Sequence, residues 1–106
     1  MKEKNVQELK SMLNGDEDFI LLDVRTENEV LVSKISDRSY HIPMNNIPLR
    51  INELDSNKQI IVYCKSGKRS AKICEYLNNN KFLNIYNLKG GILAWANEID
   101  PNILII

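Results

Sequence analysis

The segment Cys64-Lys65-Ser66-Gly67-Lys68-Arg69-Ser70 sets one thiol beside a glycine and three cations, all within five following positions. A thiol reacts as its thiolate. Cationic neighbours, inward-pointing backbone N–H groups and a helix N-terminus each lower its pKa from about 8.5 toward neutral. Gly67 permits the tight curl that turns successive N–H groups into an anion-binding nest. Cys64 is therefore expected to be a thiolate nucleophile, with Lys65, Ser66, Gly67, Lys68 and Arg69 binding a substrate around it. The inert buried thiol that most free cysteines are fits this charged setting poorly. Cys74 reads the opposite way: it shares an apolar face with Ile73 and Leu77, and packing explains it.

Other polar residues carry weaker signals. Asp23, which follows an apolar run, is expected to cap the next turn or to hold the Cys64 loop, and Arg25 to play a structural part, rather than either reacting. Arg25 and Glu29 are four positions apart and would pair locally if Thr26 opens a helix. His41, the one histidine, precedes Ile42-Pro43 and reads as strand-end packing rather than a proton carrier. Trp95 continues the apolar set Ile92, Leu93, Ala96 and Ile99, so it belongs to the core or a pocket wall. Gly90-Gly91 fits a tight turn near the reactive loop.

These residues need a scaffold. Phe19-Ile20-Leu21-Leu22 and Ile60-Ile61-Val62-Tyr63 are unbroken apolar runs, as strands buried on both faces require. Cys64 thus stands where a strand runs out, the place where open α/β sheets bind ligands. Val6, Leu9, Met12 and Leu13 predict a first helix stopped at Gly15. Ile47, Ile51 and Leu54 predict a crossover helix with Pro48 in its first turn. Ala71, Ile73, Cys74 and Leu77 predict a helix after Cys64, Ile85 to Leu88 a short strand, and Ile92 to Glu98 a last helix. Alternating strands and helices give an α/β fold, a small mainly parallel sheet flanked by helices on both faces.

With 106 residues, residues 1–106 form a single domain. Fourteen Lys and Arg balance fourteen Asp and Glu, so no overall field favours nucleic acid or an acidic membrane surface. No apolar run is long enough to span a bilayer, and Met1-Lys2-Glu3-Lys4 has no signal-peptide core. The expected location is cytoplasmic, where two cysteines do not make a disulfide framework. Neither a metal nor a cofactor is called for.

Three motifs in order then carry a family resemblance. Cys64-Lys65-Ser66-Gly67-Lys68-Arg69 resembles the active-site loop of single-domain rhodaneses, in which a cysteine and a closing arginine bracket a persulfide cradle. Asp23-Val24-Arg25, with Glu29 at the matching acidic position, resembles the family's Asp-Val-Arg motif. Asn87-Leu88-Lys89-Gly90-Gly91-Ile92-Leu93-Ala94-Trp95 resembles its Leu-x-Gly-Gly-x-x-x-Trp signature. The resemblance runs from about Asp18 to Asp100. His41-Ile42-Pro43 and Ala94 to Pro101 look most like the rhodanese domain fused behind adenylyltransferases of molybdopterin and thiamine sulfur transfer. The chain departs from the family at Ser33-Lys34-Ile35-Ser36-Asp37-Arg38, where Gly-His-Ile-Pro-Gly-Ala is usual.

The resemblance implies a sulfurtransferase that moves a sulfane sulfur from thiosulfate or a persulfide donor to a nucleophilic acceptor through a Cys64 persulfide. A small ubiquitin-like sulfur-carrier protein is an implied partner. Two rival readings stand beside it. A cysteine phosphatase or arsenate reductase uses a similar loop, but with five residues between Cys and Arg where this chain has four, Lys65 to Lys68. A non-catalytic docking domain would have no need of the nucleophile.

Overall fold

A computed structural model describes residues 1–106. Five parallel strands form one sheet: β1 (Glu3–Lys4), β2 (Phe19–Asp23), β3 (Ser39–His41), β4 (Gln59–Tyr63) and β5 (Ile85–Leu88), in the order β1-β5-β4-β2-β3. The helices are α1 (Val6–Asn14), α2 (Glu27–Val32), α3 (Ile47–Arg50), α4 (Lys68–Asn79) and α5 (Gly91–Glu98). The expected α/β class and parallel sheet are what the chain adopts.

The strand residues divide between two cores as the pleat dictates. Leu22, Ile60, Val62 and Cys64 pack with Ile47, Ile73, Cys74 and Leu77 on the α3–α4 side. Leu21, Ile61 and Tyr63 pack with Val6, Leu9, Ile92 and Trp95 on the α1–α5 side. Apolar residues at consecutive strand positions are thus required, because β2 and β4 are covered above and below. Trp95 is a core residue of the second face.

Local chemistry sets the helix boundaries. At α1, Asn5 Oδ1 accepts from Glu8 N at 2.8 Å while Glu8 Oε1 accepts from Asn5 N at 2.9 Å, a reciprocal cap. Thr26 and Glu29 repeat this arrangement at α2. The expected crossover helix is broken: Met44–Asn46 and Ile51–Glu53 are 3-10 turns on either side of a four-residue α3. Pro48 lacks the N–H that would extend the ladder back into the preceding turn.

Candidate active site

β4 lies at the middle of the sheet and delivers Cys64 at its carboxyl end. Beyond it, Gly67 takes φ of +105°, a left-handed conformation natural to glycine, and starts α4. This turn folds the loop back over the thiol. Cys64 Sγ receives the Gly67 N–H at 3.1 Å and the Ser70 N–H at 3.4 Å, with Ser70 Oγ at 3.3 Å. The N–H groups of Lys68 and Arg69, in the first turn of α4, have no backbone acceptor, so they are donors open to an incoming anion.

The loop is held from behind by α5. Ile92 N donates to the Cys64 carbonyl at 2.9 Å and Leu93 N to the Lys65 carbonyl at 3.1 Å. The start of α5 thus uses its unpaired N–H groups to anchor the loop. This close approach explains Gly91, where a Cβ would stand 2.4 Å from the Lys65 oxygen and 2.6 Å from the Cys64 oxygen; at Gly90 a Cβ would instead stand 2.6 Å from the Ala94 Cβ.

Electrostatics separates the two thiols. Burial pushes the Cys64 thiol up, for the residue is 1% exposed. The Ser70 hydroxyl and the N–H groups of Ser70, Gly67 and Ser66 outweigh that burial, so its pKa is lowered overall. Cys74 has the burial without the donors, and with the Cys64 charge nearby it is pushed up to about 12. Of the groups expected to lower this pKa, the backbone N–H groups touch the sulfur and the lysine ammonium groups do not.

Arg69 and its neighbours also differ from the local pairing expected for Arg25 and Glu29. Arg25 is buried against Asp23, with Nη2 at 2.7 Å from Oδ2, and also donates to the Ser33 carbonyl at 2.7 Å. Its charge is committed inward because Asp23, two residues back in β2, is equally buried. Glu29 instead takes Arg69, accepting at 2.7 and 2.9 Å in a bidentate pair that joins α2 to α4. That guanidinium and the Thr26 N–H hold the Glu29 carboxyl down at about 2.

An open cleft of about 490 Å³ lies beside the loop, lined by Val24, Thr26, His41, Met44, Arg50 and Arg69 among others. Cys64 is not in its lining, and Arg69 is the residue of the Cys64 loop that borders it. His41 ends β3 and its Nε2–H donates to the Arg25 carbonyl at 2.6 Å, since a carbonyl only accepts. The structure therefore links Asp23, Arg25 and His41 through hydrogen bonds, but only His41 lines the cleft, and Asp23 and Arg25 are buried. Lys65, Lys68 and Ser66 make no side-chain hydrogen bond or ion pair.

Sequence reasoning missed Ser70 and Asn87 as site residues. Ser70 Oγ donates to Asn87 Oδ1 at 2.6 Å, and Asn87 Nδ2 donates to the Gly67 carbonyl at 3.1 Å. The available signal was an asparagine at a buried position of a strand otherwise reading Ile85, Tyr86 and Leu88, since a buried amide needs partners.

Comparisons with known proteins find similar sequences and a similar fold. The family described as "Rhodanese-like domain" matches residues 5–98. A protein named "Sulfurtransferase" from Allochromatium vinosum is 36% identical over 96 residues, covering 91% of this chain and 89% of its own. The "Adenylyltransferase and sulfurtransferase MOCS3" of Arabidopsis thaliana is 30% identical over 112 residues, matching 91% of this chain but only 24% of that longer protein. The crystal structure of a rhodanese-like domain protein from Staphylococcus aureus superposes with a TM-score of 0.85 at 34% identity, covering 100% of this chain and 99% of the other.

Proposed function

Because this chain belongs to the rhodanese-like domain family, we propose that it transfers a sulfane sulfur from thiosulfate or a persulfide donor through a persulfide on Cys64. The observation that carries this reading is the ring of polar groups at Cys64 Sγ, in which the Gly67 and Ser70 N–H groups donate to the sulfur and the Ser70 hydroxyl oxygen stands 3.3 Å away. Such a ring stabilises a thiolate without any metal.

In the first half-reaction the Cys64 thiolate attacks the outer sulfur of thiosulfate. A new S–S bond forms, the sulfur–sulfur bond of the donor breaks, and sulfite leaves with the electron pair. The outer sulfur now carries the negative charge, and the open N–H groups of Lys68 and Arg69 are the donors placed to receive it. In the second half-reaction an acceptor nucleophile such as cyanide takes the outer sulfur, and the electron pair of the broken bond returns to Cys64. Lys65, Lys68 and Arg69 attract anionic donors to the mouth of the loop. A small ubiquitin-like sulfur-carrier protein, the partner that the motif resemblance implies, is a second candidate acceptor.

The test is sulfur mapping. Brief thiosulfate treatment should add one sulfur atom, found on the peptide containing Cys64 and removed by dithiothreitol. Cys64→Ala should lose both the adduct and thiocyanate production. Sulfur on Cys74, or turnover by Cys64→Ala, would refute the assignment. A parallel assay with an aryl phosphate tests the phosphatase reading, and the absence of both activities would favour a docking domain.

A further inference from the structure

The persulfide steps above leave the proton of one buried hydroxyl unassigned. Ser70 Oγ stands 3.3 Å from Cys64 Sγ and 2.6 Å from Asn87 Oδ1. Asn87 is fixed in orientation because its Nδ2 donates to the Gly67 carbonyl, so it turns an acceptor, not a donor, toward Ser70. A hydroxyl has one proton to give. When Cys64 is a thiol, its S–H donates to Ser70 Oγ and the serine proton goes to Asn87. A thiolate has nothing to donate, and a hydrogen bond to a charged acceptor is about twice as strong as a neutral one. The serine proton then turns to the sulfur.

From this juxtaposition we infer that Ser70 is a switching donor for the Cys64 sulfur, resting on Asn87 while Sγ is uncharged and turning onto Sγ whenever it bears the thiolate charge. The inference rests on the sulfurtransferase reading and assigns the step Ser70 serves. In loading, Sγ begins as the thiolate and becomes neutral as its bond to the incoming sulfur forms, so the serine proton returns to Asn87. In discharge, cyanide bonds to the outer sulfur, thiocyanate departs, and Sγ takes back the electron pair. The Ser70 proton follows that charge and lowers the energy of the leaving thiolate. Ser70 is therefore a catalytic residue chiefly of the second half-reaction.

Other charged groups surround Cys64 without competing for this place. Arg69 is engaged by Glu29, Arg25 by Asp23, and His41 by the Arg25 carbonyl. Lys65 and Lys68 lie on the loop, Cys74 on α4, and none of them hydrogen-bonds to Sγ.

The experiment uses two readouts. The pH dependence of iodoacetamide alkylation gives the Cys64 midpoint whether or not the protein transfers sulfur. Ser70→Ala should raise that midpoint by about one pH unit, and Ser70→Thr, which keeps the hydroxyl, should restore it. Single-turnover loading and discharge are then followed above both midpoints. A less stabilised thiolate is a better nucleophile and a worse leaving group, so Ser70→Ala should load about threefold faster and discharge about threefold slower. Opposite signs distinguish this role from a damaged loop, which would slow both steps. An unmoved midpoint, or equal slowing of both steps, overturns the inference.

The unmodified protein provides a measurement independent of any variant. The Asn87 side-chain amide resonance should shift at the Cys64 midpoint, because its oxygen loses the serine proton there; a resonance that stays in place overturns the switch. Failure of wild-type Cys64 to accept sulfur from either donor would instead refute the sulfurtransferase reading, leaving the alkylation result to judge Ser70 alone.

Discussion

The charge of Arg69 is already shared before a substrate arrives. Glu29 accepts from both terminal guanidinium nitrogens, so the arginine faces the cleft as half of an ion pair and not as a free cation. Its attraction for a dianion should then be limited by Glu29. Arg69→Ala should raise the apparent KM for thiosulfate more than for an uncharged persulfide donor, and Glu29→Gln should lower it by roughly threefold to tenfold. Steady-state kinetics with both donors checks this, and equal effects on the two would show that Arg69 does not read donor charge. The reactive and inert thiols were separable in the sequence, since only one has a glycine and cations after it. Which donors hold the sulfur was not, because Ser70 and Asn87 are seventeen positions apart and meet only when β4 and β5 pair.

Among the elements, the junction of α5 with the Cys64 loop carries the tightest packing near the site. Gly91 has φ of +60° and its missing Cβ leaves room for the Lys65 and Cys64 carbonyls. Gly91→Ala would push the helix off the loop and strain its own backbone, costing about 2 kcal/mol or more. Denaturant unfolding should show this loss, and sulfur loading should slow in the same variant because the Cys64 carbonyl loses its anchor. Asn5→Ala is the contrasting case: it removes a cap distant from the loop, for about 1 kcal/mol, and should leave loading unchanged. A result in which Asn5→Ala slows loading as much as Gly91→Ala would mean that general stability, not loop anchoring, governs the rate. The Gly-Gly pair was visible as a turn in the sequence, but the purpose of Gly91 was not, since the atoms it makes room for belong to Cys64 and Lys65, far back in the chain.

Across the whole molecule, what the sequence disclosed follows burial. β2, β4, α1, α4 and α5 bury apolar residues at strand or helix period, and their patterns announce them. β1 and β3 are short edge strands held by backbone pairing, with no apolar residue in Glu3–Lys4, and α2 buries none of its side chains. Such elements have no period to read. α2 nevertheless has a global role, because Glu29 ties it to α4 across forty positions of sequence. The pH dependence of stability should report that tie. Glu29 has an ordinary pKa of 4.5 and is held down to about 2 in the fold by Arg69 and its cap. A depressed carboxyl stabilises the folded state fully above its unfolded pKa and loses that contribution as pH falls toward its folded one. Glu29→Gln isolates the charge, because glutamine still accepts the Thr26 N–H in the cap. At neutral pH the variant should therefore melt below the wild type, by up to about 5 °C for a partly exposed pair worth at most about 1 kcal/mol. As pH is lowered from 4.5 toward 2 the two melting temperatures should converge, since protonation gives the wild type the same uncharged partner for Arg69. Melting curves at pH 7, 4 and 2.5 decide it. A gap that persists undiminished at pH 2.5 would mean that the difference between the two proteins does not come from the Glu29 charge and that the ion pair contributes nothing.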